Sequence, residues 1–158
     1  MEKEKTRVKG NVFYVLRDKE GNIKDEREIS NQTQILGFSA IASLIATDNP
    51  GSETTFDYMA IGIGTAQTIA DTALASEITT AGGERRGGVD VVATLTGTDD
   101  EILQFQTTYT FTGAFAVTEA GIFNDASAGT MLCYQDFAAI NVSNGDSLQI
   151  TWQITFGV

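Results

Sequence analysis

Residues 148–156 read Leu148-Gln149-Ile150-Thr151-Trp152-Gln153-Ile154-Thr155-Phe156, an unbroken alternation of apolar and polar side chains. Because successive side chains of a β-strand point to opposite faces, this alternation predicts a strand with one apolar face and one polar face. The run 105–111, Phe-Gln-Thr-Thr-Tyr-Thr-Phe, follows the same pattern, with Phe105, Tyr109 and Phe111 inward. We therefore predict a packed β-sheet in which Trp152 has a structural role.

The N-terminal part of the chain predicts a hairpin. Residues 7–17 form its first strand, and their apolar side chains fall on both faces: Val8, Val12, Tyr14 and Leu16 on one, Phe13 and Val15 on the other. Two apolar faces indicate a strand that is covered on both sides, or covered on one side by a partner. A turn at 18–22 leads to a return strand, 23–29, whose many charges are typical of a protected edge strand.

A helix is predicted over about residues 33–46, capped by Asn31 or Thr33 and stopped near Pro50. Apolar residues recur there at helical spacing without a charge, so we expect the helix to be buried against the sheet. Strands follow at 56–63 and 89–95. Between them we predict a short helical turn capped by Asp71 and a flexible glycine-rich loop, or arm, around Arg85 and Arg86.

The whole pattern predicts a mainly β protein with about eight strands and one buried helix. The expected architecture is an antiparallel β-sandwich or a jelly-roll-like barrel. Hairpin turns are predicted at 125–129 and at 143–146, where Asn-Gly is a strong turn signal. Residues 1–6 alternate charges without a large apolar run, so we expect a flexible N-terminal arm followed by one domain, 7–158.

The amino-acid composition of the chain argues against several classes of function. The chain of 158 residues has 10 basic and 21 acidic residues, a net charge of -11 that repels nucleic acid and suits a basic partner. It has no histidine, which removes the commonest general base and metal ligand, and one cysteine, Cys133, which we expect to be buried. No apolar run suggests a membrane span and no signal peptide is visible, so we expect synthesis in a cytoplasm.

Several short motifs could be interpreted as chemical sites, but a structural interpretation is favoured for each of them. Gly62-Ile63-Gly64 lacks the third glycine of a dinucleotide site, and the turn 18–22 lacks the ligands of a calcium loop. The acids 99–101 could bind a cation, but a solvated turn is favoured. Asn141-Val142-Ser143 matches a glycosylation acceptor and is interpreted as a turn. We predict no cofactor and no metal.

Glu119 is the one acid flanked by apolar strand residues. If it is buried it needs a partner, which Arg85 or Arg86 could supply. A structural ion pair or a carboxylate bonded to the backbone is favoured over a catalytic role, because no second acid is visible. No Ser-His, Cys-His or lysine nucleophile can be assembled either. We therefore predict that the chain is not an enzyme and has no catalytic residue.

Four stretches resemble a family of small virion proteins of tailed bacteriophages, often described as tail fibre-like, some of which act as capsid auxiliary (decoration or cement) proteins. The stretches are 17–24 with Asn31, Gly37 and 41–45, then 58–65 with 71–74 and Glu77, then Thr118-Glu119-Ala120-Gly121-Ile122-Phe123 with 129–132, and finally 145–152 with 154–156. They occur in order over nearly the whole chain. The resemblance implies a virion location and no catalytic residues.

Three functional hypotheses follow. The first is a capsid auxiliary protein that binds the phage major capsid protein or neighbouring virion subunits as a homo-oligomer, a trimer being favoured. Its contacts would come from hairpin loops, a strand edge and charged side chains, namely Glu2, Lys3, Lys5, Arg7, Arg85 and Arg86. The second is a tail or fibre component that binds a receptor or joins a longer fibre. The third is a hydrolase of surface glycans, which would need two facing acids.

Overall fold

Strand segments dominate the computed structural model, which describes residues 7–35, 37, 39–41, 54–65, 68–94 and 100–157. The strands assigned there are β1 (Arg7–Arg17), β2 (Ile23–Ser30), β3 (Gln32–Thr33), β4 (Tyr58–Gly62), β5 (Asp90–Thr94), β6 (Asp100–Thr110), β7 (Phe115–Phe123), β8 (Met131–Val142) and β9 (Ser147–Gly157). They form a five-stranded sheet, β2-β1-β9-β6-β5, and a four-stranded sheet, β3-β8-β7-β4. Every pairing is antiparallel, so the predicted β-sandwich is confirmed.

The alternating run 148–156 lies in β9, the middle strand of the five-stranded sheet. β9 pairs along its whole length with β1, from Arg7↔Gly157 to Arg17↔Ser147, and with β6 on its other side. Trp152 is fully buried between the sheets, opposite Val12 and Phe105. Burial of large apolar side chains contributes about 1.5–3 kcal/mol each, so this stack of inward residues is the main stabilising element.

The predicted hairpin is confirmed. Asp18 closes its turn by accepting hydrogen bonds from the backbone N–H groups of Glu20 and Asn22, at 3.0 and 2.8 Å, and Gly21 has a φ of 88°. The charge-rich strand β2 lies at the edge of its sheet, as expected. In β1, Phe13 and Val15 are half-buried on the face that points away from the second sheet.

The predicted helix is present, but it begins slightly later than expected and its predicted caps are wrong. Thr33 lies in the short strand β3, paired with Cys133, and the described helical residues are 35, 37 and 39–41. Asn31 does not act as a cap: its side-chain amide lies 3.5 Å from the Cys133 sulfur. The main chain of 31–34 instead bonds to β1 and β8, which delays the helix. Ala40 is buried and Ile35 is exposed, so the described part is buried on one side; residues 42–46 lie outside the described residues.

The predicted helical turn after Asp71 is also wrong. Residues 71–79 are irregular and run along β4, joined by the bridge Gly62↔Glu77. The segment covers the outer face of the four-stranded sheet, where Leu74 packs against a second apolar cluster. That cluster contains Ala60, Phe123, Met131 and Tyr134, with Tyr58 beside it. Main-chain bonds to the β4 edge outweigh local helix propensity here.

The glycine-rich loop is attached to the same edge. The backbone of Arg86 exchanges two hydrogen bonds with Met59, at 2.8 and 2.9 Å, so this loop is not a free arm. The predicted turns at 125–129 and 143–146 are confirmed as links between β7, β8 and β9, with Gly129 and Gly145 at positive φ. The predicted arm, residues 1–6, lies outside the described residues.

Candidate functional site

The most polar arrangement in the interior lies under residues 63–65 and 68–89, which we call the loop layer. Leu74 of this layer packs on the outer face of the four-stranded sheet, whereas Ile78 and Val89 belong to the core between the sheets. Glu119 of β7 is completely buried beneath the loop layer. The strand is irregular at this point, because the register of β7 against β8 shifts between Val117 and Glu119. The loop layer is therefore anchored where a carboxylate replaces an apolar side chain.

The carboxylate of Glu119 accepts hydrogen bonds from three backbone N–H groups. Gly64 and Ser76 donate to Oε1, at 2.9 and 2.8 Å, and Ala75 donates to Oε2, at 3.0 Å. The neighbouring Thr118 hydroxyl donates to the Gly64 carbonyl at 2.6 Å. Of the two structural roles that the sequence left open, these contacts are those of a backbone-bonded carboxylate. Glu119 thus ties two segments of the loop layer, residue 64 and residues 75–76, to a strand that is distant in sequence.

The glycines that suggested a dinucleotide site have a steric role instead. A Cβ on Gly62 would lie 2.3 Å from Glu119 Oε1 and 2.5 Å from the Ser76 carbonyl oxygen, and a Cβ on Gly64 would lie 2.5 Å from the same carboxylate oxygen. Only glycine allows the main chain to approach this closely. The described residues that follow β4, Ile63 to Thr65, do not begin a helix.

Arg85 lies at the opposite end of the loop layer and binds within the chain. Its guanidinium makes a bidentate pair with Glu77, at 3.0 and 2.6 Å, and donates to the carbonyls of Asp125 and Ala128 at 3.0 and 2.9 Å. It also stacks 3.9 Å above the ring of Phe123, and its side chain is only 7% exposed. Arginine suits such a site because its planar fork donates in several directions at once. The predicted contact of Arg85 with a partner stays a prediction.

Arg86 and Tyr109 form a further polar contact beside the core. The Arg86 guanidinium lies 5.7 Å from the Tyr109 ring centre and donates to the Gly82 carbonyl at 3.0 Å. The Tyr109 hydroxyl donates to the Met59 carbonyl at 2.7 Å. Burial raises the pKa of Tyr109 well above its usual value, against the opposing effect of Arg86. These contacts hold the glycine-rich loop on β4; a partner role for Arg86 also stays a prediction.

A second buried carboxylate, Asp146, was missed by the sequence reasoning. It accepts a bond from the backbone N–H of Ser143 at 2.9 Å and pairs with Lys24 of β2 at 2.5 Å, with only 6% of its side chain exposed. The Asn-Gly signal predicted the turn but not the distant lysine. Both buried acids thus stabilise loops.

Cys133 is buried, as predicted. Burial raises the pKa of its thiol to about 12, although a contact with Thr33 acts in the opposite direction. A thiol with this pKa is almost fully protonated at neutral pH, so it is a poor nucleophile and a poor metal ligand.

The described residues contain one open polar cavity of note and no cluster suited to a metal. The cavity has a volume of about 250 Å³ and is lined by Thr54, Thr55, Asp57, Tyr58, Asn124 and Asp125. No group of three or more cysteine or acidic side chains is placed to hold an ion in the described part of the chain. The carboxylate of Asp18, suggested by the calcium-like turn, instead bonds to its own loop, and the hydrogen bond from the Asn22 side chain is the main factor that lowers its pKa.

Some of the predicted contact residues cannot be located. Glu2, Lys3 and Lys5 lie outside the described residues, and Arg7 is described only as the first residue of β1. Of the acids 99–101, Asp100 and Glu101 begin β6.

A scan against protein-family models, a search of curated proteins and a search of solved structures each found no match. Among the described residues, no helix is both long and apolar enough to cross a membrane.

Proposed function

We propose that this chain is a structural virion protein of a tailed phage, bound to the capsid as an auxiliary protein. The observation that carries the proposal is that the carboxylate of Glu119 is buried and hydrogen-bonded within the fold. The most plausible catalytic acid of the sequence has its two oxygens bonded to three N–H groups of the loop layer. With these bonds Glu119 holds the loop layer in position rather than acting on a substrate. This role agrees with the resemblance, which implies a virion protein without catalytic residues.

Rigid loops favour binding to a regular lattice. The loop layer is held by Glu119 at one end and by Arg85 at the other, so it loses little conformational entropy when a neighbour packs on it. An auxiliary protein that binds the assembled shell but not the free coat subunit stabilises the shell by mass action. The net charge of -11 would complement a basic outer surface on the coat.

The sheet edges differ in their availability to a coat strand. β2 is rich in charge, and its Arg27 donates to the carbonyls of Ala138 and Ala139 in β8, which ties this edge to the second sheet. β4 is bridged by residues 77 and 86. β5 (Asp90–Thr94) forms the remaining long edge in the described residues, with a single acid at its start. A coat strand that extends a sheet by main-chain hydrogen bonds would meet least obstruction at β5.

Immunogold labelling of virions of the phage that encodes the chain tests the proposal. Many labels spread over the head support a capsid auxiliary protein, whereas labels confined to the tail favour the tail or fibre alternative. Labels on neither part refute both. A turnover assay on host polysaccharide tests the hydrolase hypothesis separately, with Glu119→Gln as the variant.

Reconstitution tests the mechanism. Heads that lack the protein should lose DNA at a lower temperature, and added purified protein should restore the wild-type temperature. A variant that lacks residues 1–6 tests the arm. If its occupancy on these heads equals that of the wild type, the arm does not contribute to binding.

A further inference from the structure

The outer face of the five-stranded sheet is free of charge over its whole centre. Strands β1, β9 and β6 are in register there, and their outward residues form three rows of three. The rows are Asn11, Gln153 and Gln104; Phe13, Thr151 and Gln106; and Val15, Gln149 and Thr108. We call these nine residues the neutral face. Eight of them are half-buried and Thr108 is exposed, whereas their neighbours along each strand point into the core.

The neutral face is ordered by its own hydrogen bonds. Gln106 donates to the Thr151 hydroxyl at 2.8 Å, and Gln153 donates to the Gln104 side-chain carbonyl at 3.0 Å. Side chains already held in one conformation lose less entropy when a partner packs on them. Phe13 supplies the large apolar group beside this ladder, which the two apolar faces of β1 had indicated from the sequence. The face therefore combines an apolar contact with pre-arranged donors and acceptors.

Charge distribution identifies the kind of partner. The chain has a net charge of -11, yet the neutral face has none. The nearest acids lie on the two edge strands: Glu26 and Glu28 of β2 are opposite Val15 and Phe13, and Asp90 of β5 is opposite Gln106. Glu28 also accepts a hydrogen bond from the Asn11 side chain at 2.9 Å. A strongly basic partner would find no acid to pair with in the centre. A second copy of this chain can approach here without bringing acids together at the centre. Its amides and hydroxyls both donate and accept, so the face is complementary to itself.

The size of the face sets the strength of such a contact. The whole outer surface of this sheet includes the edge strands β2 and β5 as well as the neutral face. Five strands about 4.8 Å apart and eight residues of about 3.4 Å rise give it an area of roughly 500 Å². Stable interfaces bury about 800 Å² on each partner. A pair of copies joined at this face should therefore be weak, with a dissociation constant of about 1–100 µM.

We propose that two copies of the chain pair through the neutral face, with a two-fold axis near Thr151. The two five-stranded sheets would stack face to face at about 10 Å, as in other aligned sheet packings. Glu26, Glu28 and Asp90 would lie at the solvated rim and repel the acids of the other copy, so added salt should tighten the pair. This inference does not depend on the virion role, and it differs from the trimer favoured under the capsid hypothesis.

Sedimentation equilibrium of the full chain over a range of concentrations tests the pairing. The wild type should form a dimer, and Thr151→Lys and Thr151→Glu should each weaken it at least about 100-fold, because an unpaired charge would be buried at the axis. Ser127→Lys, in the exposed turn between β7 and β8, is the matched control and should leave the dimer unchanged. Thermal unfolding of each variant checks that the monomer is intact.

Cross-linking gives a second measurement that needs no new charge. Thr151→Cys should be joined to its copy by a bis-maleimide of about 10 Å span, a length set by the separation of stacked sheets. Native Cys133 is buried and should not react, and Ser127→Cys should not cross-link. A wild type that stays monomeric, a trimer, a dimer insensitive to both Thr151 charges, or a monomer that binds polysaccharide on this face would overturn the proposal.

Discussion

Replacing Glu119 with glutamine should destabilise the protein by about 2–4 kcal/mol. The amide oxygen can keep the bonds from Gly64 and Ser76, which share Oε1, but the amide nitrogen would then face the N–H of Ala75. A hydrogen bond to a charged group contributes about 1.5–3 kcal/mol, and a buried donor without an acceptor costs about 1–3 kcal/mol. The variant weakens two bonds and turns the third into a repulsion between donors.

Urea unfolding followed by tryptophan fluorescence measures this loss directly, because Trp152 is the only tryptophan and is fully buried. With a denaturant slope of about 2 kcal/mol/M, the midpoint should fall by about 1–2 M. Hydrogen exchange adds local detail. The amides of Gly64, Ala75 and Ser76 should lose more protection than those of β9, because the loop layer opens before the sandwich does.

Glu20→Gln is the matched control for Glu119→Gln. It removes the same charge from an exposed side chain in the β1–β2 turn and should change stability by less than about 0.5 kcal/mol. If Glu119→Gln were as stable as this control and its three amides exchanged at the wild-type rate, the role assigned to the buried carboxylate would be refuted.

Three other variants test the contacts around the loop layer and the core. Arg85→Lys should cost about 2–3 kcal/mol in urea unfolding, because lysine cannot keep the bidentate pair with Glu77 and the stack on Phe123 together. Gly62→Ala should lower the thermal midpoint markedly, since its Cβ would lie 2.3 Å from a carboxylate oxygen. Burial raises the pKa of Cys133 to about 12 from an ordinary 9.0, and this shift stabilises the folded state fully below about pH 9. The stabilisation is lost as the pH rises from 9 towards 12. Cys133→Ala should therefore remove this part of the dependence of the unfolding free energy on pH.

Matched controls exist for the first two. Arg17→Lys alters an exposed arginine that donates only to the Gly21 carbonyl, and it should be nearly neutral. Gly88→Asn places a side chain in open space at a φ of 62°, which asparagine tolerates. Equal effects in test and control variants would contradict the contacts described. For Cys133, a pH profile of stability that is the same in wild type and variant would contradict the raised pKa.

The sandwich could be predicted from sequence because the alternation of apolar and polar residues shows which face of each strand is buried. In 148–156 every second residue is apolar, and a shift by one position would bury Gln149, Thr151 and Gln153, so only one orientation of the strand is possible. Local sequence likewise predicted the hairpin of β1 and β2 and placed Phe13 on the face opposite Tyr14. These features depend on neighbours in the sequence, which is why they were recoverable.

The loop layer was not predictable, because its stability comes from contacts between distant residues. Nothing next to Asp71 indicates that 71–79 will be held by main-chain bonds along β4, so local rules favoured a helical turn. Glu119 was recognised as an unusual acid, but its three donors come from residues 64, 75 and 76. The pair of Lys24 with Asp146 is likewise invisible without the fold. Local sequence patterns identify the strands, whereas the bonding partners of the buried acids depend on contacts between residues that are distant in sequence.

The central place of β9 has a consequence for how the chain is made. β1 has β2 as its only partner in the five-stranded sheet until residues 147–157 are available, because β9 lies between β1 and β6. During synthesis at about 5–20 residues per second, the edge of β1 that pairs with β9 must therefore stay unpaired for several seconds. Pairings this remote along the chain also slow folding. The nascent chain should consequently depend on holdase chaperones until β9 has left the ribosome.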